Sequence, residues 1–159
     1  MAVEVFFDTS VLVAGVIDLG PQSAPAQSLM HAVAEQRIPS AGTAWHCCLE
    51  FYSVSTRLPA EFRLSAGDAA RLMDEEIFAR LSVHDLPAAD RAAMMRLVVD
   101  DRIVGGRIYD VHIAEVARAA GARVIVTDNR RHFLSALRHG LRIETPSEFL
   151  QGLRKRDTR

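Results

Sequence analysis

Apolar residues follow two patterns along this chain, short continuous runs and longer stretches with a helical period. Residues 3–7 are β-branched or aromatic except at Glu4, which predicts a short buried strand ending at Asp8. Residues 25–36 carry apolar side chains three or four positions apart, which predicts a helix with one buried face. Residues 124–127, Val-Ile-Val-Thr, give the clearest strand pattern.

The remaining elements follow from the same periods together with caps and breakers. Further strands are expected at residues 38–40, 81–86 and 141–144, and further helices at 11–16, 43–57, 65–79, 87–99, 110–120, 132–139 and 146–153. Thr9 and Ser10 offer N-caps for the first helix, and Gly121 suits the position just after the helix 110–120. Because strands and helices alternate, we predict an α/β sandwich with a mostly parallel central sheet flanked by helices.

Length and composition describe one globular unit. The 159 residues are 49% hydrophobic and 25% charged, which are ordinary values for a single domain. We predict one domain over residues 1–153, followed by a charged C-terminal tail at residues 154–159. Since no apolar run reaches the thickness of a bilayer, no membrane partner is expected.

Charge and cysteine content indicate the compartment but not the ligand. The net charge of -1 does not by itself point to a nucleic-acid-binding protein. The N-terminal residues lack the basic region of a secretory signal. The only cysteines, Cys47 and Cys48, are adjacent, and neighbours in sequence rarely form a disulfide. A reducing cytoplasm is therefore the expected compartment.

Two acidic residues directly follow predicted strands. Asp8 ends the first strand, and Asp128 follows the strand 124–127. Ligands of open α/β sheets bind outside the carboxyl ends of the strands, so both residues are candidates for a site. Each also has a local alternative, because an aspartate after a strand often caps a helix or forms an Asx turn.

Two further acids lie in predicted helices. Glu50 stands in a largely apolar segment, where an ionised carboxylate is costly to bury unless a positive group meets it. The alternatives are an ion pair with an arginine such as Arg57, or an exposed position on the helix. Asp110 precedes an apolar stripe and is a good N-cap, a role that still allows it to face a cleft.

These four acids fall where an α/β sheet can bring them together. Carboxylates held close repel one another, and some would be forced to protonate without a cation. Mg²⁺ relieves that conflict, since it is a hard ion that takes oxygen ligands and keeps several waters. The same ion can activate water and stabilise the charge of a phosphoryl transition state. The combination therefore indicates a metal site, although each acid alone does not.

Five parts of the sequence, taken in their order along the chain, carry a resemblance to a known family. They are Phe-Asp-Thr-Ser-Val-Leu at residues 7–12, Glu50 in the predicted helix 43–57, Gly-Arg-Ile-Tyr-Asp-Val-His-Ile-Ala at 106–114, Val-Ile-Val-Thr-Asp-Asn-Arg-Arg-His-Phe at 124–133 and Pro-Ser-Glu-Phe-Leu at 146–150. Together they span nearly the whole chain. In this order they resemble the PIN-domain nucleases, and among these the VapC-type toxins of bacterial toxin–antitoxin pairs.

The resemblance implies a PIN fold in which Asp8, Glu50 and Asp110 bind Mg²⁺, with Mn²⁺ as a substitute. It also implies an endoribonuclease that hydrolyses RNA phosphodiester bonds, forms a homodimer and is neutralised by a cognate antitoxin protein. The fourth acidic position of the family falls on Asn129, with Asp128 as the alternative. Candidate substrate contacts are Thr9, Ser10, Thr127, Arg107, Arg130 and Arg131. For each arginine, a solvated loop position is the alternative interpretation.

Two rival functions are considered beside the nuclease. One is a PIN-like module that binds RNA or protein without cutting, against which the presence of all three acids argues. The other is a receiver-like or haloacid-dehalogenase-like phosphotransfer domain. It is disfavoured because Ser10 stands where the dehalogenase pattern needs a second aspartate, and because the only lysine, Lys155, lies in the tail.

The histidines and three aromatic residues are not assigned to the site. His46 and His112 are expected to be core or boundary groups, and His132 is expected to pack or cap. Trp45, Tyr52 and Tyr109 have helical spacing typical of core residues, with base stacking as the alternative.

Overall fold

The computed structural model describes residues 2–158 and contains five strands and seven α-helices in that range. The strands are β1 (Val5–Phe7), β2 (Ala41–Ala44), β3 (Ser82–His84), β4 (Val124–Val126) and β5 (Arg142–Glu144). The helices are α1 (Thr9–Val16), α2 (Ala24–Ala34), α3 (Trp45–Ser55), α4 (Ala66–Leu72), α5 (Arg91–Asp100), α6 (Arg107–Ala119) and α7 (Pro146–Asp157). Met1 and Arg159, at the ends of the predicted domain and tail, lie outside the described residues.

Irregular helical turns complete the chain. Single 3₁₀ turns cover Pro21–Ser23 and Ala88–Asp90, a π-helical turn covers Met73–Phe78, and a longer 3₁₀ segment covers Arg130–His139. This last segment ends at Gly140, whose positive φ of 75° is readily adopted by glycine. The segment Arg130–His139 connects β4 to β5 at the edge of the sheet where the site lies.

The five strands form one parallel sheet in the order β3-β2-β1-β4-β5. In the centre, Phe7 of β1 is paired with Thr43 of β2 and with Val126 of β4. The carboxyl ends of β1, β2 and β4 therefore lie side by side at one edge. Helices flank the sheet, so the predicted α/β sandwich is confirmed.

The core explains why these segments pair. All three residues of β1 and all three of β4 are buried, as expected for central parallel strands covered on both faces. Helix α1 follows β1 and packs closely against α2, where Gly15 lies beside Met30. A Cβ atom at Gly15 would lie 2.6 Å from the Met30 Cγ, so only glycine allows this approach.

Three of the differences between the predicted and observed elements concern segments close to the cavity edge of the sheet or its strands. The second strand is Ala41–Ala44, not 38–40, and its Ala-Gly-Thr-Ala sequence has little β-propensity of its own. The N-cap of α1 is Asp8, not Thr9 or Ser10. Helix α6 begins at Arg107, so Asp110 lies inside its first turn and does not cap it.

The C-terminal end of the chain is more regular than the sequence pattern indicates. Helix α7 begins with a capping box between Thr145 and Glu148 and continues to Asp157, through most of the predicted charged tail. Its buried residues, Pro146, Phe149 and Leu153, all precede that tail. Among residues 2–158, no helix is both long and apolar enough to cross a membrane.

Candidate functional site

Asp8 occupies the carboxyl end of the central strand β1 and is only 3% exposed. Its Oδ1 accepts hydrogen bonds from the Val11 N–H at 3.3 Å and from the Ser10 hydroxyl at 2.6 Å. Its Oδ2 accepts a 2.6 Å bond from the Thr127 hydroxyl, which comes from the end of β4. Within residues 2–158, no basic side chain forms an ion pair with Asp8. A buried carboxylate is thus held by neutral donors alone.

The environment of Asp8 favours its protonated form. Burial raises the pKa of Asp8 to about 6, from an ordinary value of 3.8. The bonds from Ser10, Thr127 and the Val11 N–H act in the opposite direction, and the nearby Asp128 carboxylate adds to the rise. A positive group at this place would relieve the cost of burying the charge.

Glu50 projects from α3, and both of its carboxylate oxygens have partners. The Thr9 hydroxyl donates to Oε2 at 2.5 Å, and His46 Nε2 lies 2.6 Å from Oε1. The side chain is 37% exposed. Of the two alternatives weighed for Glu50, the pair with Arg57 is absent among residues 2–158, and partial exposure is observed. Thr9 links Glu50 to the turn that contains Asp8.

Asp110 lies in the first turn of α6 and is partly buried. Burial raises its pKa above the ordinary value, and the negative charge of Glu50 adds to the rise. His132 and Arg107 act in the opposite direction, and His132 Nδ1 lies 3.5 Å from Asp110 Oδ2. The Glu50 carboxylate therefore lies near enough to act on Asp110.

These acids line one cavity of about 570 Å³, at the edge of the sheet where the strands have their carboxyl ends. Its polar lining consists of Asp8, Thr9, Ser10, Gln22, Ser23, Glu50, Asp110, Asp128, Asn129 and His132. Its apolar wall consists of Val13, Ala14, Leu19, Val54 and Ile113. The structure thus brings together Asp8, Glu50 and Asp110, which the sequence places far apart.

The turn after β4 contributes two more side chains to the cavity. The Asp128 N–H donates to Ser10 Oγ at 3.1 Å, and the Asn129 N–H donates to Thr127 Oγ1 at 2.9 Å. Burial raises the pKa of Asp128 above its ordinary value. Because both Asp128 and Asn129 line the cavity, both sequence candidates for the fourth acidic position are at the site. Thr127 is fully buried and contacts Asp8.

The three candidate arginines are divided between two environments. Arg107 and Arg131 line a second cavity, which shares Asp110 and His132 with the first. Arg130 instead pairs with Glu148 and donates to the Ile143 carbonyl at 3.2 Å, so it connects the segment after β4 with β5 and α7. Of the three candidate arginines, Arg107 and Arg131 therefore share a cavity with Asp110, and Arg130 does not.

The acids share a cavity, but their side chains do not form a complete set of metal ligands. Among residues 2–158, no group of three or more His, Cys, Asp or Glu side chains is close enough to hold an ion directly. The oxygens of Asp8 and Glu50 are bonded to hydroxyl groups and to His46. The donors that face the cavity are nevertheless oxygen atoms almost throughout, which is the chemistry that hard divalent cations prefer.

Two histidines belong to the site, although the sequence analysis assigned neither to it. His46 contacts Glu50 one helical turn away, and His132 contacts Asp110 across the cavity. The spacing of His46 and Glu50, four residues apart on one helix, was a usable signal. Tyr109 was expected in the core but is 52% exposed, and its ring stacks on His46 with centroids 5.0 Å apart. Trp45 and Tyr52 are exposed as well.

Replacing Thr127 by Val is expected to lower stability more at pH 8 than at pH 4. The Thr127 hydroxyl lowers the pKa of Asp8, so its loss raises that pKa further and leaves the ionised carboxylate with one donor fewer. At pH 8 the cost is about 1–3 kcal/mol. At pH 4 Asp8 is protonated, so the bond that Thr127→Val removes from it joins two neutral groups and is weaker than at pH 8. The loss of the bond from the Asn129 N–H is the same at both pH values.

Urea unfolding of Thr127→Val at both pH values measures this difference. Thr127→Ser, which keeps the hydroxyl, is the control and should show a much smaller pH dependence. Equal losses for Thr127→Val at pH 4 and pH 8 would mean that Thr127 contributes by packing alone.

Fold and site together define an α/β domain with a carboxylate-lined cavity at the ends of parallel strands. The sequence profile of the PIN domain matches residues 4–131, which is most of the chain. The protein belongs to the PIN domain family, as the sequence resemblance implied. It is similar to Ribonuclease VapC27 of Mycobacterium tuberculosis, with 36% identity over 85 residues. That match covers 54% of this chain and only 60% of the relative.

Solved structures share the fold over almost the full length. PAE2754 from Pyrobaculum aerophilum matches with a TM-score of 0.63 and 20% identity, covering 98% of this chain and 99% of the other. The DNA-bound VapBC from Salmonella typhimurium also matches with a TM-score of 0.63 and 20% identity, covering 91% of this chain and 98% of the other. At these identities the likeness establishes the fold.

Proposed function

We propose that this protein is a divalent-metal-dependent endoribonuclease, and that it acts as the toxin of a toxin–antitoxin pair. The observation that carries the proposal is the convergence of Asp8, Glu50 and Asp110 on one cavity, where Asp8 is buried without a cationic partner. Membership of the PIN domain family and similarity to a ribonuclease support it.

The residues at the cavity fit Mg²⁺, with Mn²⁺ as a substitute. Three carboxylates and neighbouring hydroxyls offer oxygen donors, and Mg²⁺ keeps several waters, so it does not need a closed protein cage. Asp8 and Asp110 would hold the ion, and Glu50 would complete the set of ligands or orient the attacking water. When bound, the ion supplies an activated water and compensates the charge that develops on the phosphate.

The other polar residues have supporting roles in this proposal. Ser10 and Thr127 fix the two oxygens of Asp8, and Thr9 fixes Glu50, so both carboxylates keep their orientation without the ion. His46 restrains the second oxygen of Glu50. Asp128 and Asn129 lie where either can contact the reacting phosphate or its water. This preorganisation lowers the cost of orienting groups during the reaction.

The partners in this proposal are an RNA substrate, a cognate antitoxin protein and a second copy of the chain. An antitoxin is suggested by the fold that the chain shares with a protein solved as a VapBC complex. A cytoplasmic location is consistent with the two buried cysteines, Cys47 and Cys48, which are both free thiols. Growth arrest on expression, reversed by the product of an adjacent gene, tests the toxin assignment.

Cleavage of labelled RNA, measured with Mg²⁺ and again with excess EDTA, tests the enzymatic proposal. We expect EDTA to abolish cleavage and Asp110→Asn to reduce it by about 10²–10³-fold, because loss of metal-held charge costs several kcal/mol of barrier. Asp74→Asn, an exposed acid outside the cavity, is the matched control and should cleave normally.

Two results would reject the nuclease. Equal cleavage by the wild type and Asp110→Asn would indicate a contaminating enzyme. RNA binding by the wild type without metal-dependent cleavage would favour the alternative, a PIN-like binding module that does not cut.

A further inference from the structure

A second cavity adjoins the acidic one and has the opposite charge character. It has a volume of about 880 Å³ and lies between the start of α6 and the segment Arg130–His139. Asp110 and His132 line both cavities, so they form the boundary between them. Three arginines line the second cavity, namely Arg107, Arg131 and Arg138. An extended ligand bound across Asp110 would therefore contact the carboxylates of the first cavity and the arginines of the second.

The arginines differ in whether a carboxylate already neutralises them. Arg138 forms an ion pair with Asp101 at 2.7 Å, and both residues lie on the cavity wall. Arg107 and Arg131 have no carboxylate within ion-pair distance among residues 2–158. Arg107 is close enough to Asp110 to lower the pKa of that carboxyl group. Two guanidinium groups of the cavity therefore lack a direct ion pair among residues 2–158, and its three arginines outnumber its two carboxylates, Asp101 and Asp110.

One residue of the cavity wall, Ser135, carries a buried polar atom without a partner. The Ser135 hydroxyl is the one buried side-chain polar atom without a hydrogen bond among residues 2–158. Ser135 lines the second cavity, opposite the start of α6. A buried unpaired hydroxyl costs free energy, so a bound acceptor at this place would remove a penalty that the free protein bears.

We propose that this second cavity is a subsite for the RNA backbone, in which Arg107 and Arg131 bind phosphates next to the bond that is cut. The inference rests on the proposed nuclease function and deepens it. Guanidinium groups match phosphate oxygens through two parallel hydrogen bonds, and such contacts position a nucleic acid without reading its sequence. RNA is favoured over an acidic protein segment because the cavity opens directly onto the carboxylates that would act on a phosphodiester.

Binding of a single-stranded RNA oligonucleotide over a salt series, without divalent metal, tests the subsite. The logarithm of the binding constant falls with the logarithm of the salt concentration, and each phosphate contact that is lost reduces the magnitude of this slope by about 0.7 for single strands. Arg107→Gln and Arg131→Gln should each reduce the magnitude of the slope by about this amount. Arg123→Gln is the matched control, because Arg123 precedes β4 at the opposite edge of the sheet.

Ser135→Ala separates binding from folding. Removing an unpaired buried hydroxyl should leave the melting temperature unchanged or higher. RNA affinity should fall in the same variant if the hydroxyl donates to bound backbone. A variant that is as stable as the wild type but binds RNA less tightly supports the subsite, and unchanged affinity counts against a role for Ser135.

The outcomes for the subsite and for the nuclease are distinct. Unchanged salt slopes in both arginine variants, in a protein that still cleaves RNA with Mg²⁺, would overturn the subsite and leave the nuclease intact. The occupant to test next would then be an acidic segment of a protein partner. Reduced slopes in a protein that never cleaves would support the subsite and reject the nuclease. A wild type that neither binds nor cleaves RNA would overturn both.

Discussion

Asp8→Asn is expected to reduce metal-dependent RNA cleavage by at least about 10³-fold while making the metal-free protein more stable. The loss of activity follows from the central position of Asp8, since an amide is a poor ligand for Mg²⁺. The gain in stability follows from burial. Asp8 is 3% exposed, and its ionised form is held only by neutral donors.

The pH dependence of that gain has a definite sign. Folding raises the pKa of Asp8 from 3.8 to about 6, so the native protein binds more protons than the unfolded chain between these values. Wild-type stability from this group is therefore present below about pH 4 and lost as the pH rises through 6. The full difference corresponds to about 3 kcal/mol. Asn avoids this loss, so its advantage should grow from pH 4 to pH 7 and reach about 1–3 kcal/mol.

Chemical unfolding in EDTA at several pH values measures the stability, and RNA cleavage with Mg²⁺ measures the activity. Added Mg²⁺ should raise the melting temperature of the wild type and leave Asp8→Asn unchanged, because only a protein that binds the ion gains stability from it. Asp74→Asn should match the wild type in all three measurements. An Asp8→Asn protein that is less stable than wild type at pH 7 would show that the carboxylate contributes favourably to folding.

Gly15→Val is expected to destabilise the protein by about 3 kcal/mol, near the upper end of the cost of overpacking a core. A Cβ at Gly15 would lie 2.6 Å from Met30 Cγ and 3.2 Å from the Ala26 carbonyl oxygen. Met30 is itself buried, so it cannot move into solvent. The added methyl groups must separate α1 from α2. The melting temperature should fall by roughly 6–12 °C for a chain of this size.

Gly67→Val is the matched control for this effect. Gly67 also lies in a helix, α4, but a Cβ there would have no neighbour within 4 Å. We expect a change within about 0.5 kcal/mol, as is usual for a surface position. Thermal unfolding of the two variants measures the difference between their stability losses. Similar losses at both positions would mean that helix propensity, and not the contact between α1 and α2, limits the substitution.

Asp8 and Asp128 could be located from the sequence because the ends of buried strands are strongly marked. Val-Phe-Phe before Asp8 and Val-Ile-Val before Thr127 are buried strands whose apolar composition reflects their central position. The second strand could not be located in this way. Ala41–Ala44 is held in the sheet by its pairing with β1 and β3, and not by the intrinsic preference of its residues.

Contacts within the site were harder to foresee than positions. His46 and Glu50 lie one turn apart on α3, so helical spacing alone could have indicated their pairing, although no such pair was predicted. The contact of His132 with Asp110 depends on how the segment after β4 packs against α6, which no local pattern encodes. The different environments of Arg130 and Arg131 also depend on this packing. Arg130 pairs with Glu148, whereas the adjacent Arg131 lines the second cavity.

The bond between Asp8 and Thr127 joins residues 119 positions apart, which has a consequence for synthesis. Asp8, Glu50 and Asp110 are all synthesised before β4 and before the Thr127 hydroxyl, which fixes Asp8. A nascent or truncated chain therefore carries most of the acids without the frame that orients them. In the proposed nuclease, the frame around Asp8 therefore closes only after β4 has been synthesised.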